Sequence, residues 1–347
     1  MNYYITRYTG TSKDAGTKAP KDINAICHRN GWTELPFIQP AKWSKPLTKA
    51  VINIKNWANL LSKVKSGDTV LYQHPMYFGT KFADKALPLL KKKGTKSVAL
   101  IHDLESLRNL TANKKVDEDS YQYADLVLLR KFDVVIAHNE KMKKYLMEHG
   151  FAADKIICLE IFDYLFEGDA RPHELSMRVA IAGNLDHQKC SYIYDMAAHN
   201  PDIRVNLYGG NFDNKHTQEN LTYCGSYSPE EIPGVIDAAF GIVWDGESSD
   251  SCVGNTGEYL KYNNPHKTSL YMVAGLPVIV WDQAAIADFV VKNEVGIAIR
   301  SLNELTSTLQ GITECEYEKM RSNAMQVGVR LKSGDYLKKA FLELDIR

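Results

Sequence analysis

Short apolar runs alternate with longer amphipathic stretches along this chain, and no other feature constrains its fold as strongly. Runs at 3–7, 69–73, 97–101, 134–137 and 156–159 are separated by segments such as 50–64 and 141–149, whose apolar residues recur at helical spacing. Strands that are apolar throughout and joined through helices bury both faces, which is the pattern of parallel βαβ units. The series then restarts at 178–182 and continues through 203–208, 241–244, 278–280 and 296–299. Between the two series, residues 162–175 hold Gly168, Pro172 and several charges, and read as a linker. The spacing therefore predicts two doubly wound α/β domains, 1–165 and 166–331. An amphipathic helix at 333–344 returns to the first domain, so that 332–347 packs on it. A chain of 347 residues exceeds what one hydrophobic core usually serves, which agrees with two domains. Such sheets bind ligands outside the carboxyl ends of their strands, so the site is expected in a cleft where the two domains face each other.

The formal net charge of zero hides a division. Residues 1–150 hold 25 Lys+Arg against 14 Asp+Glu, or +11, and the remainder holds 17 against 28, or −11. A basic half favours an anionic partner such as a membrane surface, a lipid pyrophosphate or an acidic acceptor. Part of that charge has a local explanation, because Lys91, Lys92 and Lys93 precede Gly94 where cations suit a helix C-terminus. The six cysteines form no CxxC pair, which fits reduced thiols and argues against a zinc site. No apolar run reaches membrane-spanning length and the opening residues lack the apolar core of a signal peptide, so a cytoplasmic protein is expected.

The most informative stretch is 262–281, YNNPHKTSLYMVAGLPVIVW. Asn264 suits an N-cap, Pro265 the first helical position, and Gly275 a helix stop. His266 and Lys267 then fall in the first turn, where free N–H groups and the macrodipole already make the surroundings positive. A lysine there is opposed by about 0.3–1 kcal/mol, so either an anion lies between it and the helix end or the side chain simply points into water. Ser269, in the same turn, joins the candidate set. After 178–182 comes GNLDHQK, in which Gly183 permits close backbone approach, Asn184 follows, and Lys189 stands near the next helix. After 203–207 comes YGGN, with Tyr208 able to stack on a base and Gly209 leaving room. Three such groups at the ends of one domain's strands point to a nucleotide-diphosphate site.

The first half carries different chemistry. IHD at 101–103 brings His102 and Asp103 to the cleft rim, where either can take a proton from an acceptor hydroxyl. AHN at 137–139 does the same one strand later, but His138 beside a capping Asn139 reads first as a structural residue. The glycine-bearing loop 7–20 is either a cover for the donor or a plain connection. A dinucleotide-dependent dehydrogenase is disfavoured, because no GxGxxG follows the first strand.

With these residues in view, the chain resembles the bacterial β-1,6-galactofuranosyltransferase family, which includes the second glucosyltransferase acting on streptococcal serine-rich-repeat adhesins. The resemblance is carried by KAPKDI, ALIHDLESLR, VVIAHNEKM, IAGNL, GIVWDG and NNPHKTSLYMVAGLPVIV. It implies the GT-B architecture, two Rossmann-like domains facing across a cleft, with the sugar nucleotide held by the C-terminal one, and assembly as homo-oligomers. It also implies that Lys267 contacts the UDP diphosphate, that Gly183, Asn184 and Lys189 line the nucleotide pocket, that Tyr208 lies near the uridine, and that the loop at Thr17 and Lys18 reaches the donor. In the adhesin glucosyltransferases an arginine follows the GN pair, whereas Leu185, Asp186, His187 and Gln188 stand here, which favours the galactofuranosyl branch. The expected activity is transfer of a hexosyl group, galactofuranosyl by this reading, from a UDP-sugar to a sugar hydroxyl in surface polysaccharide or glycoconjugate synthesis. Asp103 is the expected base, with His102 behind it. The rivals are a glucosyltransferase extending GlcNAc on a serine-rich-repeat adhesin and a sugar-nucleotide-binding scaffold subunit without turnover. GT-B enzymes generally work without a metal, so neither metal nor cofactor is expected, and Asp245 and Glu247 of WDGE read as a polar strand end or sugar-hydroxyl contacts. The partners implied are the UDP-sugar, a glycan, glycolipid or glycoprotein acceptor and a membrane inner face met by the basic half, with no nucleic acid.

Overall fold

In the computed structural model, residues 1–7, 17–41, 43–108, 123–187 and 189–346 are described. They form two parallel sheets of six strands, each in its own unit. The first unit holds β1 (Asn2–Arg7), β2 (Thr33–Phe37), β3 (Thr69–His74), β4 (Lys96–Ile101), β5 (Val134–Ala137) and β6 (Ile156–Cys158), in the order β2-β1-β3-β4-β5-β6. The second holds β7 (Arg178–Ala182), β8 (Arg204–Tyr208), β9 (Leu221–Gly225), β10 (Phe240–Val243), β11 (Val278–Trp281) and β12 (Gly296–Ile299), in the order β12-β11-β10-β7-β8-β9. Every pairing is parallel.

The interior strands match the apolar runs because they are covered on both faces; every residue of β5, β10 and β11 is buried. Two strands are not legible as apolar runs, β2 and β9, and both are edges. Thr33 and Glu34 are exposed and Pro36 lies within β2, as an edge tolerates. In β9, Thr222 and Tyr223 are exposed. An edge strand buries too little to require an apolar sequence.

Register fixes which residues meet at the carboxyl edges. In the first unit His74 pairs with Ile101, so His102 N donates to His74 O at 2.7 Å. In the second, Ala182 pairs with Tyr208, which brings the glycines after β7 and β8 side by side. Gly209 N donates to Gly225 O, and Gly183 N to Tyr208 O, both at 2.9 Å.

The division between units falls at 159/160, six residues before the expected boundary. Residues 160–165, expected in the first domain with 162–175 as a linker, belong to the second unit. From Leu337 onward the helix Asp335–Ile346 belongs to the first unit, where Phe341 stacks on Trp32 at 4.5 Å and Lys96 Nζ donates to Leu344 O at 3.1 Å.

Tyr271, on the helix His266–Val273, anchors that helix to the second sheet. Its hydroxyl accepts from Ala182 N at 2.7 Å and donates to Ala180 O at 3.2 Å. The ring lies over Gly241 of β10, where an added Cβ would sit 2.2 Å from the ring carbon Cγ. Gly241→Ala should therefore lower unfolding stability by ~1–3 kcal/mol through overpacking, measured by urea denaturation.

Candidate functional site

The helix His266–Val273 begins one residue later than its sequence suggests, with Pro265 as N-cap and no side-chain cap. Asn264, expected to cap it, is buried and instead donates through Nδ2 to Glu160 O at 2.8 Å. Ser269 is fully buried, and its Oγ donates to Phe162 O at 2.5 Å. The ring of His266 bonds to Asp163 O through Nε2 at 3.2 Å, stacks on Tyr164 at 4.9 Å between centroids, and meets Phe162 edge-on at 6.2 Å. Three residues expected to hold the ligand thus bind the chain segment 160–165. Its irregular backbone needs partners from outside, and these polar side chains supply them. Lys18 has the same office: it is buried, its Nζ donates to Leu165 O at 2.6 Å, and it lies 4.8 Å from the Tyr164 ring centroid. Where the resemblance implied a reach to the donor, Lys18 holds the backbone of this segment, and Thr17 before it is half-buried. Residues 8–16 of the expected covering loop lie outside the described residues.

Lys267 points elsewhere. Its Nζ donates to Trp244 O at 2.8 Å and lies 3.3 Å from Asp245 Oδ2, at the end of β10. An ammonium has three N–H donors, and these two contacts fix its direction while a third can meet a ligand. Around the buried thiol of Cys190 the field combines Lys267, Asp245, Lys189 and Asp186, although burial dominates and pushes that thiol up to about 11. Asp245 is the member whose importance the sequence understated, because its role depends on where Lys267 ends.

The glycines divide in function. An added Cβ on Gly209 would lie 1.7 Å from Gly183 O, so Gly209 makes room for neighbouring backbone and not for a ligand. Gly183, at φ +140°, faces nothing within 4 Å in the direction a Cβ would take and leaves its side open. Asn184 is exposed beside it, its Oδ1 accepting from Asn211 Nδ2 at 2.9 Å and Asp186 N at 3.1 Å. Lys189 is also exposed. Tyr208 does not present a stacking surface: it is buried, its hydroxyl accepts from Asp237 N at 2.9 Å, and burial raises its pKa to about 12.

At the carboxyl edge of the first unit, His74, His102 and His138 stand at the ends of β3, β4 and β5. His138 is buried with Nε2 bonded to Ile101 O at 3.0 Å, and burial lowers its pKa to about 4. Asn139 caps the helix Glu140–Glu148 by accepting from Met142 N at 2.9 Å, as its sequence implies. His74 Nε2 lies 2.8 Å from Asp125 Oδ1 in a buried pair, a partnership 51 residues apart that no local motif announces. His102 Nε2 donates to Gln73 Oε1 at 2.7 Å, and Gln73 Nε2 in turn donates to Asn24 Oδ1 at 2.7 Å. Asp103 accepts from Arg108 Nη1 at 2.7 Å, and the same nitrogen lies 3.4 Å from Glu105 Oε1. Among the described residues no group of three or more His, Cys, Asp or Glu has metal-binding geometry.

Two α/β units with parallel sheets of this order, the second carrying an oriented lysine at a helix start, have the GT-B fold. Sucrose-phosphate synthase from Thermosynechococcus elongatus is structurally similar, with a TM-score of 0.64 at 13% sequence identity, over 99% of this chain and 98% of that one. The chain belongs to the Glucosyltransferase 3-like family: the N-terminal domain model of that family matches residues 2–161 and the C-terminal model residues 179–344. It is a glycosyltransferase. Beta-1,6-galactofuranosyltransferase WbbI of Escherichia coli K12 is 32% identical over 354 residues, covering 99% of this chain and 98% of that protein. Glucosyltransferase 3 of Streptococcus gordonii is 24% identical over 349 residues, covering 99% and 98%.

His266 gives this site a pH dependence. It is half-exposed by area yet closely surrounded, and that burial moves its pKa from 6.5 to about 4, with the Lys18 ammonium contributing. Between those values the unfolded chain holds a proton that the folded chain lacks, so stability falls as pH drops from about 6.5 toward 4 and is level above. The limiting slope is about 1.4 kcal/mol per pH unit for one histidine, less whatever solvent screening the ring retains. His138 adds a parallel contribution in the first unit. His266→Gln should flatten part of the slope in denaturation series between pH 4 and 7 and leave the remainder.

Proposed function

We propose that the chain transfers a hexosyl group from a UDP-sugar, with galactofuranose as the sugar, to a sugar hydroxyl during assembly of a surface polysaccharide or glycoconjugate. The observation that carries this reading is Lys267, held toward the end of β10 by Trp244 O and Asp245 in the first turn of its helix. Its ammonium and the helix amino end together would stabilise the negative charge that develops on the departing diphosphate. Gly183, Asn184 and Lys189 would line the rest of the nucleotide pocket. The 32% identity to a galactofuranosyltransferase over nearly all of both chains supports the choice of sugar. The similarity to a streptococcal glucosyltransferase supports a second reading, in which the sugar is glucose and the acceptor a GlcNAc on a serine-rich-repeat adhesin. Either protein would work without metal or cofactor, as a homo-oligomer, on a glycan, glycolipid or glycoprotein acceptor. The basic half would face an anionic partner at the inner side of the membrane.

For the base, His102 is set beside Asp103. The Asp103 carboxylate accepts from Arg108 Nη1, and the bond between His102 Nε2 and Gln73 Oε1 would favour a tautomer with its lone pair on Nδ1. In the reaction the acceptor O–H proton would pass to Nδ1 as the oxygen bonds the sugar carbon and the bond to the UDP oxygen breaks. Gln73 and Asn24 would then be positioning residues, which hold the ring and choose its tautomer.

Lys267→Ala should weaken UDP binding by ~10–100-fold at unchanged melting temperature, measured by calorimetry; unaltered affinity would remove the donor site from this helix. With UDP-galactofuranose and UDP-glucose offered in parallel, His102→Gln should lower transfer by ~10²–10⁴-fold while UDP still binds. Loss of transfer in Asp103→Asn together with parental turnover in His102→Gln would return the role of base to the carboxylate.

A further inference from the structure

The helix Pro46–Lys63 and the strand-to-helix connection before it present an apolar stripe that nothing in the donor chemistry uses. Its inner face is well packed, with Asn53, Asn56, Trp57 and Leu60 buried. Trp57 meets Phe37 edge-on at 5.1 Å, and Asn56 bonds both the N–H and the carbonyl of Ile38, at 3.1 and 2.9 Å. On the outer face, Leu47, Val51 and Ile54 follow at spacings of four and three, which aligns them along one side of the helix. Leu47 is 76% exposed and Trp43, just before the helix, 89%. Val51, Ile54 and Ile38 are exposed as well, and the Asn56 clamp fixes the backbone of Ile38 beside this helix. Single exposed apolar side chains are ordinary, but five within residues 38–54 are a built surface.

The charge around this stripe identifies what covers it. Between Glu34 and Asp68 the sequence holds six lysines and no carboxylate. A second copy docked isologously on this face would set those lysines against their own counterparts, with no acidic side chain in the segment to offset them. An anionic bilayer complements both features: apolar side chains enter the acyl boundary, the tryptophan sits at headgroup depth, and the lysines meet lipid phosphates. We infer that the outer face of the helix Pro46–Lys63, with Trp43 and Ile38, is a docking surface for an anionic phospholipid membrane, on which the enzyme lies without crossing. No described helix is long and apolar enough to span a bilayer. The inference rests on the anionic-partner element of the function proposed above and not on the donor site, so the two can fail separately.

The test uses the full chain in co-sedimentation with vesicles of phosphatidylglycerol and phosphatidylcholine, and with vesicles of phosphatidylcholine alone. Binding to the anionic vesicles only is expected, falling as salt is raised. The triple variant Trp43→Ser, Leu47→Ser, Ile54→Ser should bind at least ~10-fold more weakly. Lys45→Gln with Lys55→Gln should cost about fivefold per lysine. All five positions are solvent-exposed, so melting temperature and the thermal shift with UDP should match the parent and vouch for the fold. Equal sedimentation with both vesicle types, or parental binding by the apolar triple variant, would overturn the inference. So would a parent that sediments as an oligomer in analytical ultracentrifugation while the triple variant is a monomer, since a second copy would then cover the face.

Discussion

The helix His266–Val273 is held in place by the polar side chains at and before its first turn, and the site depends on that hold. Asn264, His266 and Ser269 bind the backbone of 160–165, while Tyr271 ties the same helix to β7. These bonds satisfy carbonyls of an irregular segment, and leaving such groups buried without partners costs roughly 1–3 kcal/mol each. The consequence for chemistry is that Lys267 projects from a helix fixed on two sides. Under the proposed function such a cation would gain from preorganisation, because little rearrangement would remain as charge develops on the leaving group.

The two units show the same design with different side chains. In each, the candidate residues stand at the carboxyl edge of a parallel sheet, with packed or hydrogen-bonded neighbours beside them. His102 bonds to Gln73 and to His74 O, and these in turn bond to Asn24 and Asp125 in the first unit; in the second, Tyr208 accepts from Asp237 N, and Gly209 packs against Gly183. The division of charge runs alongside this design. The basic unit also carries the apolar stripe of the helix Pro46–Lys63, and Lys267 and Lys189 belong to the acidic one.

Much of the fold was legible because burial on both faces demands apolar strands, and ten of the twelve were read directly. β2 and β9 escaped because an edge has no such demand. The contacts of the candidate site residues were only partly legible. NPHK was recognisable as a place where a cation sits against a helix dipole, yet three of its polar neighbours serve the backbone of 160–165. Nothing in their types distinguishes those duties, since a side chain that can bind a ligand can equally bind a carbonyl.

The sequence by itself determined the alternation of elements, the two parallel sheets, the glycines after the strands and the basic first half, because these follow from local periodicity and composition. Only the tertiary structure decided that Lys267 turns toward Trp244 O and Asp245, that Tyr208 is interior, that His102 is held by Gln73, and that Asp103 is paired with Arg108. The first three join residues from 23 to 29 positions apart or depend on burial by distant chain. The last is a local contact among several that a short charged segment can make, and the sequence leaves the choice among them to the packing around it.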